Sequence, residues 1–221
     1  MKRKRERFRI IEQRANVIEP SKAHYSSIRG RWNSFYFQNE NPITVELACG
    51  RGEYTTGLAT ICPEKNFIGV DRKGDRIWKG STVAEEQGLL NAAFLRAEIL
   101  SLEHFFAPGE ISELWLPFPD PHPGRGKYRR RITGPRFLEM YKRLLVPGSF
   151  IRLKTDNPVL YGYTLEQLCK RNDVVDLQHT DDVDQSSLKT ECQDIVTRYE
   201  TQFSVRGETI KYLRFRFDGG L

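Results

Sequence analysis

At 221 residues, 38% hydrophobic and 29% charged, the chain has apolar material for one substantial core and is most simply a single unit. No run approaches the ~18 apolar residues of a membrane span, and the basic N-terminus has no apolar stretch behind it, so neither a membrane protein nor a secretory leader is expected. The net charge of +6 is uneven: residues 1–9 carry +5 and residues 125–131 another +5, leaving −4 for the remainder, the footprint of a protein that grips phosphates.

Residues 1–40 are polar and basic with embedded aromatics (Phe8, Tyr25, Trp32, Phe35, Tyr36, Phe37). They are expected to form an N-terminal arm, flexible at its tip until something anionic orders it. The folded domain is expected over 41–221, with the aromatics at 32–37 packing onto it. A first strand is predicted over 44–47, followed by a glycine-bearing turn from Glu46 to Gly52 and a helix over 53–62. A second strand over 66–70 ends in Asp71, and a helix over 74–87 is stopped by Gly88. The third strand, 92–96, has Glu98 just beyond it, and the fourth runs over 114–118. Thr133 is a candidate cap for a helix whose apolar stripe is Phe137, Leu138, Tyr141, Leu144 and Leu145, ended by Pro147-Gly148. A fifth strand over 150–154 leads to Thr155-Asp156, with a helix over 159–171 after it. Residues 174–180 read as a strand, 181–193 as a polar loop, and 210–217 (IKYLRFRF) as a half-exposed strand. The β-α alternation predicts an α/β domain with a parallel central sheet, and the closing pair of strands predicts an antiparallel edge. Cys49, Cys62, Cys169 and Cys192 are scattered with no close pair, so free thiols in a reducing cytoplasm are expected. His24, His104 and His179 have no partner at metal-ligand spacing, and no metal is expected.

The stretch Glu113 to Arg131, ELWLPFPDPHPGRGKYRRR, breaks the rhythm. Pro117, Pro119, Pro121 and Pro123 stand at every second position. Each fixes its own φ, removes an N–H and is expected to push the residue before it into an extended conformation. Asp120 is thereby held rigidly past a strand end, as suits a group that must face a ligand. Gly124 and Gly126 then loosen the chain, and Arg125, Lys127, Arg129, Arg130 and Arg131 load it with charge.

In an open α/β sheet, ligands bind beyond the carboxyl ends of the strands. Five predicted strands in succession carry an acid there: Glu46 (with Gly50 and Gly52), Asp71, Glu98, Asp120 and Asp156. The turn Ala48-Cys-Gly50-Arg-Gly52 lacks the G-x-G-x-x-G of a dinucleotide site, and Glu46 would repel a pyrophosphate. A ligand with an ammonium group, a cationic centre and ribose hydroxyls fits better, and S-adenosylmethionine answers that description. Asp71, 25 residues after Glu46, stands where a second-strand acid accepts ribose hydroxyls, and Glu98 stands near the adenine end.

With NPITVELACGRG, GVD at 69–71, FPDPHP at 118–123, Arg130-Arg131-Ile132, LKTDN at 153–157 and TRYE at 197–200, the chain resembles the bacterial tRNA (guanine-N7)-methyltransferases over about residues 33–217. The proline-flanked aspartate with paired arginines and the late T-x-Y-E are the specific part. The resemblance implies the seven-stranded S-adenosylmethionine-dependent methyltransferase sheet, mostly parallel with an antiparallel edge strand, and methyl transfer to guanine N7 in the tRNA variable loop. It implies a cofactor pocket of Glu46, Gly50, Gly52, Asp71, Glu98 and Asp120, with Asp120 catalytic. Asp156, Thr197, Arg198, Tyr199 and Glu200 would contact the substrate nucleotide, and Arg125, Lys127, Arg129, Arg130 and Arg131 would hold RNA. Three positions depart from the family pattern: Ala48 replaces the first glycine, His122 the usual Trp, and Gly124 a substrate-contacting Lys.

The chemistry agrees with these residues. Guanine N7 has an in-plane lone pair and needs no deprotonation, while the product base is cationic. A fixed carboxylate, Asp120 with Asp156 or Glu200, is placed to stabilise that charge. The partner is expected to be tRNA, and the protein to work as a monomer or homodimer without an obligate second subunit. An RNA-binding module with an inactive cofactor pocket is the alternative, kept open by His122 and Gly124. A dinucleotide oxidoreductase is a third reading, disfavoured by the missing fingerprint.

Overall fold

Strand runs that are apolar at nearly every position are satisfied only when both faces of a sheet are covered. The computed structural model, which describes residues 2–192, 195–205 and 207–219, covers them in this way. Its strands are β1 (Val17–Ile18), β2 (Ile43–Leu47), β3 (Asn66–Asp71), β4 (Ala92–Arg96), β5 (Glu113–Pro117), β6 (Phe150–Thr155), β7 (Val174–Thr180) and β8 (Lys211–Phe217). They form one eight-stranded sheet in the order β1-β4-β3-β2-β5-β6-β8-β7. β8 runs antiparallel to both β6 and β7; the other pairs are parallel. The helices are α1 (Lys2–Gln13), α2 (Glu53–Ile61), α3 (Gly74–Glu86), α4 (Pro135–Leu144), α5 (Pro158–Cys169) and α6 (Arg198–Ser204).

Successive strand residues point to opposite faces. Ile43, Val45 and Leu47 therefore share one core with Ile68, Val70, Leu95, Leu116 and Leu153. Phe67, Phe94, Trp115 and Tyr212 build the core on the other face. Two helices begin on proline, whose missing N–H is no loss in a first turn. Asn157 caps α5 by accepting from Leu160 N at 2.9 Å, while α4 starts from Gly134. Thr133, the expected cap, instead accepts a hydrogen bond from Thr164 Oγ1 at 2.8 Å.

The expectation of seven strands is corrected to eight. The additional strand, β1, pairs only Val17 with Phe94 and Ile18 with Leu95, too short to leave a period in the sequence. The residues before it form α1, docked on α3. A Cβ on Gly74 would lie 2.7 Å from both Phe8 and Ile11 side chains, so this close approach requires glycine. Trp32, fully buried, stacks on Phe106 at 5.5 Å and donates from Nε1 to Phe105 O at 2.8 Å. The polar stretch read as a loop contains a short 3-10 turn at Ser187–Cys192, and its last residue, Gln193, lies outside the described residues. Among the described residues no helix is long and apolar enough to cross a membrane.

Trp32→Ala is expected to cost about 3–5 kcal/mol of stability, since it empties a closed site and orphans the Phe105 carbonyl. Urea denaturation of the two proteins checks this; a stability difference below about 1 kcal/mol would mean that residues 30–37 do not belong to the core.

Candidate active site

The carboxyl ends of β2 to β6 open into one cavity of about 1450 Å³. Glu46, Asp71, Glu98, Asp120 and Asp156 all line it, so the five strand-end acids do converge.

Glu46 forms its floor. Only 4% exposed, it accepts from Thr55 N at 2.7 Å and from the Thr55 hydroxyl. No cation pairs with it among the described residues. Burial pushes its carboxyl up to about 8, against the opposing pull of the two Thr55 bonds. Across the strand pair, Glu46 is in register with Gly69. A Cβ at Gly69 would stand 2.7 Å from Thr55 Oγ1, so the missing side chain is what lets Thr55 reach the acid. Asp71 ties the neighbouring loops together, accepting from Gly50 N at 3.0 Å and Lys73 N at 2.8 Å. The turn between them needs left-handed backbone at Ala48, Gly50 and Gly52 (φ 55°, 54° and 68°). Ala48 adopts it at a cost of roughly 1–2 kcal/mol relative to a right-handed residue. Gly52 does not line the cavity; it lets α2 approach Phe94, which a Cβ would meet at 2.5 Å. Glu98 is exposed at the rim, 3.7 Å from Arg72.

The proline segment leaves β5 with one ladder-like bond, Phe118 N to Lys154 O at 2.7 Å. The extended backbone expected before each proline is not found at two positions: Phe118 and His122 have φ 49° and 43°. Proline bars its predecessor from the right-handed helical region, and here the chain turns into the left-handed one instead, a conformation uncommon for bulky residues. Asp120 lies between these two bends with its side chain 71% exposed. Its Oδ1 accepts from His122 N at 3.1 Å, which fixes the carboxylate's direction. Asp156 is partly buried, and that burial raises its carboxyl above the ordinary range.

The remaining expected residues divide. Thr197 and Arg198 line the cavity at the start of α6, where Arg198 N donates to Glu53 at 3.1 Å and Glu200 N to Thr197 Oγ1 at 3.1 Å. Glu200 turns away from the cavity into a buried ion pair with Lys154 at 2.6 Å. Tyr199 belongs to α6. In the basic flap, Arg129 and Arg130 line the cavity, Lys127 is exposed away from it, and Arg125 opens a short 3-10 turn. Arg131 is the exception: it is 7% exposed, with its guanidinium turned inward.

Thr55 carries no marking pattern in the sequence, and Gly69 and Lys154 stand there only inside the motifs GVD and LKTDN, with no role of their own. Lys154 did leave a signal, a lone cation inside the apolar strand FIRLKT. A cationic wall also went unread: Arg51 from the turn, Lys73 just ahead of α3, and Arg76 and Lys79 on α3 line the cavity and make no ion pair among the described residues.

Residues 40–213 match the sequence profile of a family described as putative methyltransferase. A protein of Cytophaga hutchinsonii named tRNA (guanine-N(7)-)-methyltransferase is 44% identical over 212 residues, 96% of this chain and 96% of its own. One of the same name from Porphyromonas gingivalis is 47% identical over 189 residues, covering 85% of this chain and 76% of that protein. The chain belongs to the tRNA (guanine-N7)-methyltransferase family. A solved 16S rRNA methyltransferase, KamB, superposes with a TM-score of 0.62 over 86% of this chain and 93% of that one at 12% identity, a likeness of fold. Membership favours the enzyme reading over an inactive RNA-binding module or an oxidoreductase. Ala48, at the position where the resemblance implies a first glycine, holds its left-handed backbone (φ 55°) without one.

Glu46 supplies a pH test. Because its folded carboxyl titrates near 8 rather than 4.5, the folded state binds the proton more tightly. The associated stability is complete below about pH 4.5 and disappears as pH rises through 8. Glu46→Gln keeps the neutral shape, so its stability relative to wild type should rise across that window by on the order of 4 kcal/mol in ligand-free protein. Urea titrations at pH 5 and pH 9 measure it; a pH-independent difference would show that Glu46 is ionised throughout.

Proposed function

We propose that this chain transfers a methyl group from S-adenosylmethionine to N7 of a guanine in the variable loop of tRNA. One observation carries the reading: an acid from each of five successive sheet strands or their loops lines one cavity, and cations without an ion pair among the described residues line its walls.

The residues present fit the donor. Glu46, dry and without a cation, suits an ammonium group, whose charge would draw its carboxyl back toward ionisation. Asp71, anchored by Gly50 N and Lys73 N, has lone pairs left for ribose hydroxyls, and Glu98 faces the adenine end. Gly50 and Gly52 shape the turn. Bound there, S-adenosylmethionine supplies a methyl group on a sulfonium centre.

Asp120 acts on the base. N7 attacks with its own lone pair, so the carboxylate is needed as a fixed negative charge beside a base that becomes cationic, and not as a proton acceptor. Asp156, Thr197, Arg198 and Tyr199 contact the nucleotide, while Glu200 serves it through Lys154 by holding α6 in place. Lys127, Arg129, Arg130 and Arg125 grip phosphates from the flap, and Lys73, Arg76 and Lys79 do so from the opposite wall. The expected setting is the bacterial cytoplasm, with the protein a monomer or homodimer needing no second kind of subunit.

Incubation with labelled S-adenosylmethionine and unmodified tRNA, followed by product mapping, tests the activity; methyl on another atom, or none, rejects it. Asp120→Ala is expected to lower turnover by roughly 10²–10³ with tRNA affinity little changed. Replacing Lys73, Arg76 and Lys79 by Gln should flatten the salt dependence of tRNA binding by about one unit of slope for each phosphate no longer neutralised. An unchanged slope would remove that wall from the RNA surface.

A further inference from the structure

Arg129, Arg130 and Arg131 are adjacent in sequence but not alike in setting. The first two are exposed. Arg131 ends the 3-10 turn with its N–H on Tyr128 O at 3.1 Å, which swings its side chain under the proline segment. Its Nε donates to Pro121 O at 3.1 Å and a terminal nitrogen to His122 O at 3.4 Å. Its guanidinium lies 4.5 Å from the ring centre of Tyr163 on α5.

These two carbonyls belong to the segment that carries Asp120. With proline at 117, 119, 121 and 123, the stretch has backbone N–H groups only at Phe118, Asp120 and His122. It cannot hold itself by ladder bonds, and both its non-proline bends are left-handed. Strained backbone persists only where its surroundings over-determine it. The front is tied by Phe118 N to Lys154 O; the back is tied by Arg131. Arginine suits the task because its planar fork reaches successive carbonyls while its flat face stacks on an aromatic ring, which an ammonium cannot do.

We infer that Arg131 is a positioning residue for Asp120, not a contact to RNA: it clamps the Pro121 and His122 carbonyls and so fixes the direction of the carboxylate. The inference rests on the methyl-transfer reading for its kinetic arm, so one arm is independent of activity. In Arg131→Lys, without any substrate, the amides of Asp120 and His122 should exchange hydrogen at least severalfold faster than in wild type. With tRNA, kcat should fall on the order of 100-fold, the scale of a misplaced reacting group, while KM for tRNA and the salt slope of binding stay as in wild type. Arg130→Ala, the comparator, should lower the salt slope. Asp120→Asn followed by Arg131→Lys separates working through Asp120 from a general loss of order: single-turnover rates should drop far less for the second change than in wild type. Arg131→Ala serves as a stronger version; if it fails to fold, Arg131→Lys decides alone. Unchanged exchange, a reduced salt slope with kcat retained, or an equal fall in rate in the Asp120→Asn background would each overturn the inference. Failure of wild-type protein to methylate tRNA would instead count against the activity, leaving the exchange arm to judge the clamp.

Discussion

Glu46 sits on the covered face of β2, in the middle of the sheet, with Thr55 as its hydrogen-bond partner and no cation beside it among the described residues. An ionised carboxylate in that setting is expensive, and the protein meets the cost by holding the proton. The surrounding architecture follows from keeping the acid there. β3 must place a glycine opposite it, α2 must begin close enough to deliver Thr55, and the turn between must be left-handed to make that approach. A ligand that brings a positive charge to this floor relieves a penalty that the fold otherwise carries. That is a physical basis for selecting a cationic donor over a phosphate-bearing one on a sheet that other folds use for dinucleotides.

The second acid that matters is held by the opposite strategy. Asp120 is exposed, and its accuracy comes from backbone that has few alternatives. Proline removes the donors that could form competing secondary structure. The left-handed bends at Phe118 and His122 place the aspartate at the cavity edge. The buried Arg131 secures the Pro121 and His122 carbonyls that this arrangement leaves over. Floor and edge thus use different physics for related ends: one carboxylate tuned by dryness, the other aimed by stiffness.

Much of this was legible because the signals were local. Strand-end acids announce themselves once the strands are placed, and the strands from Ile43 to Thr155 follow from apolar runs separated by helical periods. What stayed hidden depends on three-dimensional proximity. Thr55 has no pattern of its own, and Gly69 looks like an ordinary glycine until Thr55 is found beside it. β1 is too short for any periodicity to register, and the aromatics around Trp32 give no hint of which residues they will meet. Phe118 and His122 misled for a different reason: the rule for residues before proline excludes one region of φ/ψ space and does not choose between those that remain. Arg131 misled because a run of like charges reads as a single surface, whereas side chains at successive positions of a tight turn face different ways.

The separation of charge explains how one cavity can serve a cationic donor and a polyanion together. Glu46 and Asp71 are buried, while the cations Lys73, Arg76, Lys79, Arg129 and Arg130 are exposed at the walls. Had the walls collapsed onto the floor, each charge would have been cancelled by its neighbour. Among the described residues lining the cavity, Arg72 meets Glu98 at 3.7 Å at the rim where both are solvated, and the His122 ring lies 3.5 Å from the exposed Asp120 carboxylate. Water around the exposed cations screens them within about a Debye length of ~8–10 Å, whereas the buried floor is screened far less. A phosphate chain therefore meets the positive walls first, and a small cation inside meets the negative floor. On the proposed chemistry the positive charge moves from donor to base. The base is where Asp120 stands, at the boundary between the acidic interior and the basic rim.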